Sequence, residues 1–248
     1  MCAGIGVMLG GGWIVCAVAF VAAMLIDRLQ AAMGRRRLPT FYLQVVGGAV
    51  ATLLAVATAA LVDDVDPSLV VTANIIMLLS GIGFMGGLQD ALTGFYITAG
   101  ARMTEALLAT GGIIAGVSGG LAVGDVLGVD LGRLEPGAFD IETWPVVATG
   151  AAISAAAFAF ASYSPKRVLV PIAVIAAAGI LITNAVELVG FGRPWATGVA
   201  SFVIGLVAWS VSGFVKVPPL VVVVSAVVPM LPGLSIYRGL ALLAEGGP

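Results

Sequence analysis

The sequence predicts an all-α membrane protein that crosses the bilayer several times. Of its 248 residues, 60% are hydrophobic and only 10% are charged, whereas charged residues make up roughly a quarter of an average soluble domain. The apolar residues also gather in windows of about 20, the length that a helix needs to cross a hydrocarbon core of about 30 Å. We therefore expect a polytopic α-helical membrane protein.

About eight such windows follow one another along the chain. They are Ala3–Ile26, Phe41–Val62, Ser68–Leu88, Ile97–Val123, Trp144–Ser162, Val168–Val189, Trp195–Val215 and Val217–Leu243. Three consecutive glycines, Gly10 to Gly12, interrupt the first window. Since glycine clusters mark turns, residues 3–26 form either one span or the end of one helix, a turn and a short second helix.

The charges between the windows predict the orientation of the chain. With the windows counted as spans, eight cations fall on one side of the membrane and three on the other. The larger set is Arg28, Arg35, Arg36, Arg37, Arg102, Lys166, Arg167 and Lys216. By the positive-inside rule, we expect the loop of Arg35 to Arg37 to be cytoplasmic.

The composition argues against several classes of function. The chain contains no histidine, and its two cysteines, Cys2 and Cys16, lack CxxC spacing, so we expect no metal site and no cofactor. Its net charge of -2 leaves no basic stripe for binding nucleic acid. Because the usual catalytic base and an activated nucleophile are missing, an enzyme is the least favoured class.

Ionisable residues between Ser80 and Leu108 predict a substrate or ion path. Asp90, Arg102 and Glu105 stand between two apolar windows, where charges are expensive to insert. Arg102 and Glu105 are three residues apart and can form a structural ion pair on one helix face. Together with Asp90, they can instead offer a cation and two carboxylates to a zwitterion, and the sequence leaves both interpretations open.

Other polar residues extend the candidate path. Asn184 and Glu187 lie near the outer end of the sixth window, where an interfacial position explains them equally well. The remaining candidates are Asn74, Tyr237 and Arg238. A different pattern, Gly112, Gly116 and Gly120 at i, i+4 and i+8, predicts close packing of two helices and no chemistry.

A weak internal repeat connects two of the windows. A displacement of 152 residues aligns Ile75–Gly94 with Val227–Gly246 and gives five identities, at Leu79, Gly81, Gly87, Leu88 and Gly94. The predicted orientation makes the two copies inverted, and inverted repeats with interrupted helices are typical of secondary transporters. Two kinked helices that pack closely at their glycines are the alternative. We expect the repeat halves to be residues 1–130 and 131–248.

Helix-breaking residues occur in both copies of the repeat. Proline removes a helix hydrogen bond, and glycine tolerates the unwound backbone that results. The predicted breaks are Ser80, Gly81 and Gly83 in the first copy and Pro229, Pro232 and Gly233 in the second. Backbone groups freed inside a membrane must be satisfied by a cavity or a ligand, so we expect these breaks to form a gate.

Two motifs resemble the threonine/serine exporter family of bacterial inner-membrane proteins. One is PGLSIYRGL, from Pro232 to Leu240, and the other is D-x3-G-x5-G-x-R-x2-EAL, from Asp90 to Leu107. The GGxW motif that ends at Trp13 and the arginine-rich loop before Pro39 extend the resemblance over essentially the whole chain.

The resemblance implies two related halves of five helices each and export of threonine and serine, driven by the proton motive force, across the bacterial inner membrane. It implies the amino-acid substrate, protons and the lipid bilayer as partners, with a homo-oligomer or a separate cytosolic domain as further candidates. Compared with the family, the chain lacks the hydrophilic cytosolic domain that precedes the helices, has only a stub of the first helix before Gly10 and lacks the last helix after Gly246, so we expect it to be truncated at both ends. A non-transporting membrane scaffold subunit is the alternative function.

Overall fold

The computed structural model describes residues 1–62, 67–78, 81–128 and 143–230 of the chain. These residues form α-helices and short 3-10 turns, with no strand among them, which confirms the all-α class. Seven helical segments are long and apolar enough to cross a membrane when residues 67–92 are counted as one segment. By length and composition, the described part of the chain therefore agrees with a polytopic membrane protein.

The helices follow the predicted windows closely. They are α1 Cys2–Met8, α2 Trp13–Arg35, α3 Thr40–Leu61, α4 Pro67–Leu78, α5 Gly81–Leu92, α6 Tyr96–Val126, α7 Trp144–Ala161, α8 Leu169–Leu188, α9 Arg193–Val215 and α10 Pro219–Val227. One 3-10 turn, Lys166–Val168, leads into α8 and another, Val228–Met230, follows α10. The rest of the eighth window lies outside the described residues.

The first predicted window is interrupted. Gly10 has a φ of +79°, its N–H donates to the carbonyl of Val7 at 3.0 Å, and the N–H of Gly11 donates to that of Gly6 at 2.9 Å. These two bonds form a Schellman motif, which glycine enters without the strain of a Cβ. Of the two alternatives for residues 3–26, the interrupted one is correct, but the second helix is long rather than short because α2 has 23 residues.

The described helices form two compact units. The α2–α6 unit contains α2 to α6, and the α7–α10 unit contains α7 to α10 together with α1, which packs on α7. Residues Met1–Gly12 therefore pack with helices from the second half of the chain. A repeat boundary at residue 130 remains a prediction.

In the α2–α6 unit, α3 and α6 approach until their backbones touch. A Cβ atom on Gly112 would lie 2.6 Å from the carbonyl oxygen of Phe41, and one on Gly120 would lie 2.6 Å from the Cβ of Thr52. Between them, a Cβ on Gly116 would overlap the carbonyl oxygen of Val45. The close packing predicted from the glycine spacing is thus confirmed.

In the α7–α10 unit, glycine has a similar role on α7 and α8 but not on α9. A Cβ on Gly150 of α7 would lie 2.7 Å from the carbonyl oxygen of Gly4 in α1. A Cβ on Gly179 of α8 would lie 2.6 Å from the Cδ1 of Ile204. The buried stripe of α9 consists instead of larger residues, namely Ala196, Ala200, Ile204 and Ala208.

Three helices of the α2–α6 unit begin at positions that match helix starts in the α7–α10 unit when the sequence is displaced by 152 residues. Advanced by 152 residues, the first residues of α2, α3 and α4 fall within one position of Lys166, Arg193 and Pro219. The helices that match in this way also contact one another within their own unit. In the α2–α6 unit the contacts join α2, α3 and α4 pairwise, and in the α7–α10 unit they join α8, α9 and α10. This correspondence favours an internal repeat that extends well beyond the twenty aligned residues.

Candidate functional site

A tight turn folds α6 back along α5 and forms a helical hairpin. Gly94 has a φ of +91°, and its N–H donates to the carbonyl of Ala91 at 3.2 Å, while that of Phe95 donates to the carbonyl of Asp90 at 2.8 Å. This is again a Schellman end, and it needs a residue that tolerates a positive φ. The hairpin brings the last turn of α5 beside the second turn of α6.

An ion pair joins the two arms of this hairpin. Nη1 of Arg102 lies 3.0 Å from Oδ2 of Asp90, with exposed side-chain fractions of 53% and 22%. The Oδ2 atom is shielded from solvent and receives no aligned hydrogen bond, so the contact is mainly electrostatic. Because Asp90 stands in the last turn of α5, at the negative end of that helix dipole, its carboxylate depends on the arginine for compensation.

Two glycines of α5 make room for Arg102. A Cβ on Gly86 would lie 3.1 Å from Nη1 of Arg102. A Cβ on Gly87 would lie 3.1 Å from Cγ of Met103 and 3.3 Å from the carbonyl oxygen of Ala99. The glycines thus allow α6 to approach α5 and let the guanidinium reach across to the acid.

Glu105 takes no part in this ion pair. It is exposed on α6, and no cation of the described residues comes within 4 Å of its carboxylate. Arg102 therefore pairs with a residue twelve positions earlier in the chain and not with the acid one helical turn away on α6.

Asn74 is a buried polar residue with an unsatisfied acceptor. Its side chain is in α4 and is 1% exposed. Nδ2 donates to the carbonyl of Val70 at 2.9 Å, and this bond fixes which end of the amide carries the oxygen. Oδ1 has no hydrogen-bond partner among the described residues, and such a group is costly unless a ligand or water completes it.

The α7–α10 unit places its polar candidates near the end of α8. Asn184 is 7% exposed, and its Nδ2 has no partner in the described part of the chain. Glu187 lies 3.8 Å from Nε of Arg193. The hydroxyl of the neighbouring Thr183 donates to the carbonyl of Gly179 at 3.1 Å and lies 3.4 Å from the sulfur of Met230, so α8 contacts the end of the 3-10 turn there.

Only some of the predicted helix-breaking residues lie within the described residues. Gly81 is the first residue of α5, and Gly83 lies inside that helix. Pro229 stands in the 3-10 turn at which α10 ends. Ser80, Pro232, Gly233, Tyr237 and Arg238 lie outside the described residues.

Sequence reasoning missed two glutamines. Oε1 of Gln44 is buried without a partner in the described structure, and a Cβ on Gly112 would lie 3.2 Å from its Cβ. Nε2 of Gln30 donates across helices to the carbonyl of Leu43 at 3.0 Å. Both are amides inside or beside apolar windows, the same signal that identified Asn74.

The unsatisfied atoms of the two units differ in kind. In the described residues of the α2–α6 unit they are oxygens of Gln44, Asn74 and Asp90, whereas the α7–α10 unit contributes a nitrogen, Nδ2 of Asn184. Oxygen acceptors suit an ammonium group, a hydroxyl or a proton, and an amide nitrogen suits a carboxylate. Within the described ranges, no cluster of three His, Cys, Asp or Glu residues could hold a metal ion.

Comparison with known proteins identifies relatives of one kind. Two models of threonine/serine exporters match the chain, one over residues 1–124 and the other over residues 148–247. The "Probable threonine/serine exporter" of Mycobacterium tuberculosis is 35% identical over an alignment of 248 positions. That alignment covers 97% of this chain and 46% of that protein. The "Threonine/serine exporter" of Corynebacterium glutamicum is 35% identical over 243 residues, which cover 95% and 49%.

The chain spans about half the length of these curated relatives. We find no match among solved structures. The two family models cover most of the helical chain between them, and the described helices include seven candidate spans. The chain is thus a multi-pass membrane protein, and it belongs to the threonine/serine exporter family.

Proposed function

We propose that the chain is a secondary active transporter that exports threonine and serine, with protons as the coupling ion. The observation that carries this proposal is the alignment of at least 95% of the chain with two proteins named as exporters of these amino acids. The composition agrees, because a chain without histidine that couples to protons needs carboxylates, and Asp90 is a carboxylate in the hairpin. The bacterial inner membrane, with the Arg35 to Arg37 loop on the cytoplasmic side, is the location that follows from the family and the charges.

The Asp90–Arg102 pair supports a specific position for the substrate path. A threonine or serine zwitterion carries a carboxylate and an ammonium group, which are the complements of the guanidinium and the acid. The two protein groups already lie 3.0 Å apart, so the substrate exchanges one ion pair for two and leaves no charge uncompensated. Such exchange lowers the cost of bringing a zwitterion to the edge of the hydrocarbon.

A proton can act on the same pair. Protonation of Asp90 removes the negative partner that the ammonium group of the substrate needs. Deprotonation restores that partner. The proton and the amino acid thereby compete for one residue, which is the requirement for proton-driven exchange.

Asn74 is the second group that we assign to the path. Its free Oδ1 accepts a hydrogen bond from an ammonium group or a hydroxyl, and its burial excludes competing water. A site built to satisfy a hydroxyl discriminates against analogues that lack one, because the buried acceptor then stays unpaired. The amide thus offers a means to prefer threonine and serine over alanine or valine.

Transport by reconstituted protein tests the proposal. The chain is placed in proteoliposomes, and movement of labelled threonine is followed with and without an imposed pH gradient. We expect Asp90→Asn and Arg102→Ala to reduce the initial rate at least about tenfold, the loss typical of a charge that contacts the substrate. Asp125→Asn and Arg35→Ala remove the same charges elsewhere and serve as controls.

Different results point to different errors. Parental rates in both hairpin variants would show that the path lies elsewhere. A transport rate that does not depend on the pH gradient would contradict proton coupling but not export. A parent chain that moves no threonine and co-purifies with a second protein would instead favour the scaffold function.

A further inference from the structure

Two helix connections come together at one end of the α7–α10 unit. The connection from α7 to α8 contains Lys166 and Arg167, and the connection from α9 to α10 contains Lys216. Nη2 of Arg167 donates to the carbonyl oxygen of Lys216 at 3.1 Å. This bond spans 49 residues of sequence and holds the connection that carries Lys166 and Arg167 against the one that carries Lys216.

No acid in the described part of the chain neutralises the positive charge of these residues. No carboxylate of the described residues lies within 4 Å of Lys166, Arg167 or Lys216. Lys166 and Arg167 occupy the first turn of the helical segment Lys166–Leu188. The backbone N–H groups of a first turn also point outward and carry partial positive charge, so the two side chains add to a potential that already repels them.

An open pocket includes Lys166 in its lining. Its volume is about 450 Å³. It is lined by Phe160, Ala161, Tyr163, Ser164, Pro165 and Lys166. Phe160 is 62% exposed and Tyr163 is 98% exposed, so the pocket combines two accessible aromatic rings with an ammonium group.

Tyr163 is held in a conformation that few non-glycine residues adopt. Its φ is +57°. Its N–H donates to the carbonyl of Phe160 at 3.1 Å, and the N–H of Ser164 donates to that of Ala159 at 3.0 Å. This Schellman end usually contains glycine, and a tyrosine there turns the ring outward beside Lys166. Non-glycine residues with positive φ are often found at functional sites.

From these contacts we propose that this end of the α7–α10 unit binds the phosphate headgroup of an anionic membrane lipid. The three cations face the phosphate, while Phe160 and Tyr163 lie along the glycerol backbone and the first methylene groups. Aromatic rings with lysine and arginine at the ends of spanning helices suit the headgroup region of a bilayer. A free phosphate would use the cations but not the aromatic rings.

The proposal separates this site from the general effect of charge on topology. The chain has a second set of three cations at the end of α2, and these are consecutive in sequence: Arg35, Arg36 and Arg37. Both sets contribute equally to the positive-inside rule. In the set of Lys166, Arg167 and Lys216, Arg167 joins two connections and Lys166 lines the aromatic pocket, so this set should distinguish one lipid from another.

Lipid binding to the purified chain in neutral detergent provides the test. Phosphatidylglycerol, phosphatidylcholine and inorganic phosphate are titrated separately, and binding is followed by native mass spectrometry and by thermal shift. We expect phosphatidylglycerol to bind about tenfold more tightly than phosphatidylcholine, because the cations attract the net negative charge of the first headgroup and the second headgroup has no net charge. The combined variant Lys166→Gln, Arg167→Gln and Lys216→Gln should lose this preference, whereas Arg35→Gln with Arg36→Gln and Arg37→Gln should keep it.

Three results would overturn the proposal. They are equal binding of the two lipids by the parent, equal loss of preference in both triple variants, and inorganic phosphate that displaces phosphatidylglycerol at equal concentration. The last result would indicate a site for free anions. If the first triple variant does not fold, Arg167→Gln and Tyr163→Ser replace it; each should weaken phosphatidylglycerol binding about threefold or more, and unchanged binding in both would equally refute the site.

Discussion

α3 and α9 occupy matching positions in the two units, yet they are covered to different extents. In the spanning window of α3, 33% of the residues are buried, compared with 22% for α9. α3 packs against α2 and α4 and also against the glycine ridge of α6. α9 leaves large side chains exposed, with Phe202 at 69% and Trp209 at 76%. Among the described residues, the difference follows the glycine contacts: those of α6 meet α3, whereas Gly198, Gly205 and Gly213 of α9 have no neighbour within 4 Å.

The largest effect is expected when the glycine ridge is filled. In Gly116→Leu, the new side chain overlaps the carbonyl oxygen of Val45 and lies close to the backbone nitrogen of Ala49. Since backbone cannot rotate away, α3 and α6 must separate, at a cost of about 3 kcal/mol or more. Thermal unfolding in detergent should show a large drop in the midpoint.

Gly119 provides the matched control on the same helix. A Cβ there meets nothing within 4 Å, so Gly119→Ala should raise stability by about 0.5 to 1 kcal/mol through helix propensity alone. If both variants lower the midpoint equally, the glycine ridge is not what joins α3 to α6.

A smaller effect is expected at the glycine contact of the other unit. In Gly150→Leu, the side chain meets the backbone of Met8 and the carbonyl oxygen of Gly4. Because α1 has only seven residues, it can detach alone, and we expect a loss of about 1 to 3 kcal/mol. Limited proteolysis should cut residues 1–12 while α7 to α10 stay protected. Global unfolding at the same midpoint as Gly116→Leu would contradict this difference between the units.

The third prediction has the opposite sign and separates stability from function. Asn74→Leu removes a buried oxygen that has no partner among the described residues, together with the Nδ2 bond to Val70. Because an unsatisfied buried group costs more than a typical hydrogen bond contributes, stability should rise by up to about 1 kcal/mol. Threonine transport should fall, because the proposed path loses its acceptor. Thr110→Val is the control: Thr110 is equally buried but its hydroxyl donates to Ala106 at 2.8 Å, so no gain in stability is expected. A destabilised Asn74→Leu would show that the amide oxygen has a structural partner.

The smallest effect concerns a helix end. Tyr163→Gly relieves a positive φ of 57° and should raise the free energy of unfolding by about 0.5 to 1 kcal/mol. The same change removes one aromatic ring from the lipid pocket, so phosphatidylglycerol should bind more weakly to a more stable protein. Unchanged thermal stability would show that the positive φ of Tyr163 has no measurable cost in free energy.

Hydropathy predicted most of the helices, because a helix in lipid needs an apolar run of about 20 residues. The residues that bound such a run also place the ends of the helix. Hydropathy could not decide how Ala3–Ile26 divides, since three glycines hardly change the hydropathy of the window. The answer depended on the positive φ of Gly10, a property of backbone geometry.

The sequence left the partner of Arg102 open. The i, i+3 rule allows a pair with Glu105, and convergence with Asp90 was the other interpretation; the hairpin at Gly94 brings Asp90 within 3.0 Å of Arg102. Contacts across a turn depend on how two helices pack, which spacing within one helix does not encode. Similarly, the sequence identified Asn74 as polar, but only coordinates separate a satisfied amide from an unsatisfied one.

The backbone contact between α3 and α6 also limits how the α2–α6 unit can move. Sliding one helix along another normally proceeds through side-chain rotamer changes, whereas Gly112 and Gly116 face the backbone oxygens of Phe41 and Val45 directly. The two helices should therefore travel as one rigid body during any transport cycle. Labels placed on α3 and α6 should keep a constant separation whether or not substrate is present.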